Sequence, residues 1–355
     1  MSKKRLQILQ DLLKKKSWDA LLLEDPLSLL YLTGVSVSAG QLLISEKNAL
    51  LIVDGRYIET AETKSACPVA LRSEEIVKST LAKWDAQIIA ISSQDTSYFA
   101  YINWVEALPE FHIEPARNPV HCLREIKDPE EQNRLRQAAQ LGSAGYDLVV
   151  QLLKEGISEQ EVAMELELFW LRHGGKGPAF QPIIAFGPNT SKPHYTPSDA
   201  KLAAHQPVLI DIGVTLNNYH SDMTRVVFFK EPSDPLREIY QVVQEAQQAA
   251  LDLCLPGTRI GDLDQAARNH IQATGYGEYF PHSLGHGIGL EVHEAPTIRN
   301  RGALADATLV PGMVLTIEPG VYLPGIGGVR IEDTLLITET GYEDLTQRSK
   351  DLLIL

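Results

Sequence analysis

Cysteine is scarce in this chain, with three residues among 355, at positions 67, 122 and 254. They lie far apart, show no paired metal spacing and, being odd in number, cannot all be used in internal disulfides. A reducing cytoplasm is the compartment this usage fits. Long apolar runs are missing too. No stretch approaches the roughly 20 residues of a spanning helix, and Met1 to Lys16 lacks the continuous apolar centre of a signal peptide. Positive charge is in deficit: 32 Lys and Arg against 46 Asp and Glu leave a formal net charge of −14. Such a surface repels phosphate backbones and anionic membranes, so neither nucleic acid nor a membrane is an expected partner. The one basic cluster, Lys14, Lys15 and Lys16, reads as the solvated end of an amphipathic helix.

What the chain does have is the composition of an ordered enzyme-sized protein, 44% hydrophobic and 22% charged. Its length exceeds the size at which single cores stop growing, which predicts two domains. The first part alternates a helix (about 4–16), strands near 20–24, 42–45 and 49–53, a helix near 74–84 and a strand near 87–92. That pattern is an α/β domain, placed at residues 1–124. A new start follows, where Asp128 can cap a helix, Pro129 suits its first turn and Glu131 can cap reciprocally. Ser158 with Glu161 repeats the signal for a helix to about Arg172. Two more helices are predicted from Asp234 and Asp262, with β-rich stretches at 207–229, 314–322 and 329–338. Helices followed by antiparallel strands, twice over, make residues 125–355 an α+β half that carries the chemistry.

The β-branched residues Val208, Ile210, Ile212 and Val214 share one strand face, so Asp211 points the other way. A hairpin centred between Leu216 and Asn217 would set Asp211 directly opposite Asp222 on the return strand, about 4.5 to 5.5 Å apart at Cβ. Like charges so placed need a compensating cation, unless both simply flank an exposed turn. Glu318 ends an apolar strand, and Glu332 lies in another with Arg330 on its face, as a member of the site or as a plain ion-pair partner. In the stretch from Pro281 to Glu294, glycines at 285, 287 and 289 leave one bare side where backbone or substrate can approach. His282, His286 and His293 stand among them. Four carboxylates and an imidazole form a hard, oxygen-rich set suited to a pair of Mn, Fe, Co or Zn ions, and paired ions of that kind do hydrolysis.

With these motifs in order, the chain resembles the pita-bread metallopeptidases, the family of aminopeptidase P, prolidase, methionine aminopeptidase and the creatinases. The specific parts are Asp211-Ile212-Gly213, Ser221-Asp222-Met223-Thr224-Arg225, His286-Gly287-Ile288-Gly289, Glu318-Pro319-Gly320 and Arg330-Ile331-Glu332-Asp333. The resemblance implies a pita-bread catalytic domain behind a smaller creatinase/prolidase-type domain. It also implies two divalent ions, manganese first, with Asp211 on one ion, Asp222 and Glu332 bridging, and His286 and Glu318 completing the second. Glu318 would move the proton of the attacking water, while His194, His282 and His293, with Arg330, would serve substrate and intermediate. Tyr195, where the family has His or a small residue, would reshape the substrate pocket. Tyr31-Leu32-Thr33-Gly34 and Asp54-Gly55-Arg56-Tyr57 look like aminopeptidase P. The leading expectation is therefore an Xaa-Pro aminopeptidase acting on peptides with proline second, as a homodimer. The alternatives are an Xaa-Pro dipeptidase and a non-catalytic protein on the same fold.

Overall fold

The computed structural model describes residues 2–302 and 304–355 and divides the chain into two compact units, Met1–Leu123 and Arg124–Leu355. The first holds helices α1 (Ser2–Leu13), α2 (Pro26–Thr33), α3 (Ile58–Lys64), α4 (Ile76–Lys83) and α5 (Tyr98–Ala107). Its strands are β1 (Ala20–Leu23), β2 (Gln41–Ser45), β3 (Ala49–Val53), β4 (Val69–Leu71), β5 (Ile88–Ser92) and β6 (His112–Ala116), and α6 (Pro119–Glu125) leads out of it. The strands form one mixed sheet in the order β4-β3-β2-β1-β5-β6. Leu22, Leu43, Ile52, Ile89 and Ile91 meet Val77 and Leu81 of α4 in its core. The first helix stops at Leu13, ahead of the lysine cluster expected to close it, so Lys14, Lys15 and Lys16 lie past its end.

The second unit opens with α7 (Pro129–Leu152) and α8 (Glu159–Arg172), both started by the capping boxes written in the sequence, Asp128 with Glu131 and Ser158 with Glu161. After them come β7 (Ile183–Phe186), β8 (Gln206–Ile212), the short β9 (Thr215–Leu216) and β10 (Tyr219–His220), and β11 (Met223–Phe229). The order then recurs: α9 (Asp234–Leu251), α10 (Ile260–Ala273), β12 (Gly285–Gly287), β13 (Glu294–Ile298), β14 (Val314–Ile317), β15 (Gly320–Leu323), β16 (Gly327–Arg330), β17 (Asp333–Ile337), β18 (Tyr342–Asp344) and β19 (Leu353–Ile354). A four-stranded sheet β19-β11-β8-β7, a five-stranded sheet β13-β12-β14-β17-β18 and the ribbon β15-β16 result.

Strand alternation decides where the site lies. Val208, Ile210, Ile212 and Val214 pack into one core with Val149, Leu166 and Trp170 of α7 and α8. Leu209 faces a second core with Val243 and Leu263 of α9 and α10. Asp211 shares Leu209's side of β8, so its carboxylate sits at the inner end of the α9/α10 face. The bare sides of two glycines are filled by backbone: a Cβ on Gly285 would lie 2.0 Å from the Thr316 carbonyl oxygen, and one on Gly287 would lie 2.2 Å from that of Ala295. Glycine there lets β13 and β14 close on both sides of His286.

The α7–α8 crossing shows the same economy. A Cβ on Gly145 would stand 2.6 Å from Trp170 Nε1 and 2.7 Å from Leu166 Cδ1. The indole cannot swing away, because its N–H donates to the Leu141 carbonyl at 3.2 Å. Replacing this helical glycine by alanine gains roughly 0.5–1 kcal/mol of helix propensity, whereas overpacking a filled core costs about 1–3 kcal/mol. Gly145→Ala is therefore expected to destabilise the protein. A chemical-denaturation midpoint equal to or above that of the parent would contradict this packing.

Candidate metal centre

Asn217 and Asn218 both have positive φ, 52° and 69°, and form the two-residue turn of the β9–β10 hairpin. Asparagine tolerates this left-handed backbone better than most residues, and such turns match the twist of the strands they join. The turn centre thus lies one residue later than expected. Leu216 pairs with Tyr219, and the same register sets Asp211 opposite Thr224 rather than Asp222. A slip of two residues keeps every side chain on its face. Asp222 accordingly remains on Asp211's side as a diagonal neighbour, about 7 Å away by sheet geometry, which eases the direct repulsion.

The third carboxylate stands where sheets cross. The stretch 329–338, expected to be one strand, is two: β16 ends at Arg330 and β17 starts at Asp333 in a different sheet. Between them Glu332 bridges to Thr224, its N–H donating to the Thr224 carbonyl at 3.1 Å. The Thr224 hydroxyl donates to Glu332 Oε2 at 2.7 Å. Thr334 Oγ1 donates to the Asp222 carbonyl at 2.8 Å, tying the second carboxylate to the same crossing.

His286 completes the cluster. Its Nδ1 lies 3.0 Å from the Gly287 carbonyl, which can only accept, so the proton sits on Nδ1 and Nε2 offers a lone pair. That lone pair faces Asp222 Oδ2 and Glu318 Oε1, each 3.6 Å away. Donor atoms of Asp222, His286 and Glu332 lie within 4.8 Å of one another. Glu318 joins through His286, and at 16% it keeps more exposure than Asp222 at 7%. Asp211 is held by Arg330 Nη2. The ion pair weighed between Arg330 and Glu332 is not the one formed, since Arg330 turns to Asp211, to the Tyr322 hydroxyl at 2.6 Å and to Thr224 Oγ1 at 3.2 Å.

The electrostatics are those of an anion cluster short of cations. Burial first, then the neighbouring charges, drives the carboxyls of Asp222 and Glu318 well above their ordinary range. Burial and the Asp211 charge push Glu332 up to about 8. Burial also holds the His286 imidazole neutral, down at about 4. A lone pair aimed into converging carboxylates is stable only around a positive charge, and this N/O donor set fits divalent ions.

The remaining predicted residues surround the cluster. His293 lays its ring against His286, centroids 4.4 Å apart. His282 is engaged at both nitrogens, Nδ1 on the Ser283 carbonyl at 2.8 Å and Nε2 on the Tyr322 hydroxyl at 2.9 Å. His194 is exposed on the loop after β7 and lies near enough to His282 to disfavour its protonation. Sequence reasoning passed over Thr224, Tyr322, Thr316 and Glu294. Thr316 Oγ1 accepts the His286 N–H at 3.1 Å, and buried Glu294 is clasped by Arg124 and Lys127 next to His293. Only pairing register reveals the threonines. Glu294 had a signal, a second carboxylate next to a histidine in the glycine-framed stretch.

The metallopeptidase family M24 model matches residues 133–339, and the creatinase/prolidase N-terminal domain model matches residues 5–126. The chain belongs to metallopeptidase family M24, as its resemblance implied, and its fold is the pita-bread fold behind a creatinase-type domain. It is 36% identical to the Xaa-Pro dipeptidase of Pyrococcus furiosus over 357 residues, covering 99% of this chain and 100% of that one. Among solved structures it is similar to an Xaa-Pro dipeptidase from Bacillus anthracis, with TM-score 0.96, 35% identity and full coverage of both chains. It is also similar to an X-Pro aminopeptidase from Thermotoga maritima, with TM-score 0.89, 34% identity and 96% and 99% coverage.

Glu332's folded pKa of about 8 lies above its ordinary 4.5. Its protonated folded form therefore adds stability below that ordinary value, and the advantage is lost as pH rises through about 8. Protein stripped of metal by chelation should show a melting temperature that falls across this window, and added divalent cation should remove the fall. Matching profiles for stripped and metal-loaded protein would contradict a cation-dependent cluster.

Proposed function

We propose that this metallopeptidase is an Xaa-Pro dipeptidase, cleaving the bond between an N-terminal residue and a C-terminal proline. The end-to-end likeness to two Xaa-Pro dipeptidases carries this reading, with a TM-score of 0.96 for one of them against 0.89 for the aminopeptidase. The ranking expected from the sequence, aminopeptidase first, is thereby reversed. Its local support was also weak. The Asp54 carboxylate closes on Arg56 at 2.7 Å and the Tyr57 hydroxyl on Ser38 at 2.7 Å, which makes an exposed turn without an evident substrate role.

Asp211, Asp222, His286, Glu318 and Glu332 would hold two divalent ions, manganese by family resemblance. When bound, such ions polarise the scissile carbonyl and make water a nucleophile near neutral pH. The chain's own residues supply the rest. Glu318, the more open of the carboxylates beside His286, is placed to accept the proton of the attacking water and to hand it to the departing proline nitrogen. That transfer is needed because the C–N bond would otherwise have to expel an amide anion, and the departing nitrogen leaves as an amine only once it gains a proton. Arg330 holds the Asp211 carboxylate in place while its other end fixes Tyr322 and, through it, His282. His194, His282 and His293 line the approach and would hold the substrate's polar groups as charge develops. The same resemblance supports a homodimer, and the scarce cysteines support a cytoplasmic setting.

Hydrolysis of Xaa-Pro dipeptides and Xaa-Pro-Xaa tripeptides, with Mn, Co and Zn each returned to stripped protein, tests the assignment. A preference of at least about tenfold in kcat/KM for the dipeptide is expected; equal or faster tripeptide cleavage would restore the aminopeptidase reading. Asp222→Asn removes the negative charge and one anionic oxygen of a proposed shared ligand, so its loss of turnover should exceed the roughly 10–100-fold typical of outer partners. A folded Asp222→Asn protein with near-normal turnover would refute the bridging role.

A further inference from the structure

Glu159 opens α8 one residue after its Ser158 cap, yet its side chain is fully buried. A glutamate in a first turn normally stays in water and complements the helix dipole. Here Ser158 and Glu161 already complete the capping box, and Glu159 turns inward. Its two oxygens accept five hydrogen bonds. Oε1 takes the Phe186 N–H at 2.8 Å and Asn189 Nδ2 at 3.0 Å. Oε2 takes the Tyr195 hydroxyl at 2.8 Å, the Ser198 N–H at 2.9 Å and Ser198 Oγ at 2.7 Å.

Every one of those donors lies between residues 186 and 198. This segment leaves β7, makes a single 3₁₀ turn at Gly187–Ser191, and then runs without regular structure past His194. Among the described residues it has no strand partner beyond β7, and apart from the Gln160 N–H, which donates to the Ser198 carbonyl at 3.0 Å, side-chain bonds hold its path. A further anchor is Thr190, whose hydroxyl accepts the Gly328 N–H at 2.8 Å, on the strand that ends in Arg330. His194 is thus suspended between a buried carboxylate on one side and β16 on the other, beside His282.

We propose that Glu159 is a positioning residue for substrate: its carboxylate gathers the 186–198 segment and thereby sets the placement of His194. The inference rests on the reading that His194 holds substrate. It also explains why a carboxylate is required at this position. Five donors converge on it, and a glutamine could accept at one oxygen only, turning an NH₂ against two or three of them. Tyr195 is part of the same device, since its hydroxyl donates to Glu159 at 2.8 Å from the position next to His194.

A double-mutant cycle in the metal-loaded enzyme tests this, using whichever Xaa-Pro substrate the parent cleaves fastest. Glu159→Gln should raise KM about tenfold with kcat changed less than about threefold, and Tyr195→Phe should act the same way but more weakly. In a His194→Ala background both effects should shrink below about twofold. Equal fold-losses with and without His194, or a loss in kcat alone, would overturn the inference. If His194→Ala leaves both constants unchanged, the reading of His194 fails and the inference falls with it, an outcome distinct from additivity. A parent that cleaves no Xaa-Pro substrate would overturn the function and this inference together. Should Glu159→Gln fail to fold, Tyr195→Phe, which removes one bond of five, decides the matter by the same criteria.

Discussion

Repulsion among Asp211, Asp222, Glu318 and Glu332 governs the architecture around them. Two like charges about 4 Å apart repel by roughly 4 kcal/mol at an effective dielectric of 20, and these four converge where little water remains. A single guanidinium, Arg330, is bonded to one of them. The chain resolves part of the conflict by register, which moves Asp222 to the diagonal of Asp211. The rest is left to cations, and the neutral His286 with its outward lone pair is shaped for the same purpose.

Such a cluster stays in place only if the backbone beneath it is rigid. Arg225 provides much of that rigidity. Its buried guanidinium donates to the carbonyls of Glu332 (2.6 Å), Thr224 (2.9 Å), Arg348 (2.8 Å) and Ser349 (3.1 Å), and to the Asp333 carboxylate at 2.5 Å. Asp333 is met in turn by Gln247 and Lys350. A buried ion pair is a poor source of net stability compared with apolar packing. Its value here is positional: one side chain pins β11, the Glu332 crossing and the C-terminal segment to each other, so the clustered carboxylates inherit the stiffness of two sheets.

Helix starts were legible in the sequence because a capping box is a local signal, and Asp128 and Ser158 act where their spacing placed them. The face of β8 was legible for the same reason, since alternation needs no partner. Register was not. It depends on which residues take positive φ in the turn, and with Asn217 and Asn218 adjacent, the alternatives differ only in how the strands close on the cores. The break between Arg330 and Glu332 was hidden as well, because an alternating β-branched stretch reads as one strand whether or not it changes sheets. The glycines at 285 and 287 were read correctly as sites of close approach, but only the fold shows that neighbouring backbone fills the space.

Tyr195 shows why the scissile bond is harder to infer than the metal centre. Its bulk predicted a reshaped substrate pocket, yet its hydroxyl is spent on Glu159 and Ser198. Ligand identity is fixed by donor chemistry, which a sequence displays, whereas substrate choice is fixed by where a loop is held. On the dipeptidase reading the substrate brings a constraint that a longer peptide does not: a proline carboxylate close to the scissile bond, at a site already rich in carboxylates. Arg330 cannot meet it, being committed to Asp211, Tyr322 and Thr224. The exposed His194 and His293, both in the second unit, would on that reading be the groups to receive it. On the proposed reading, the distinction between dipeptidase and aminopeptidase would rest on how firmly His194 and its loop are placed more than on the five proposed ligands.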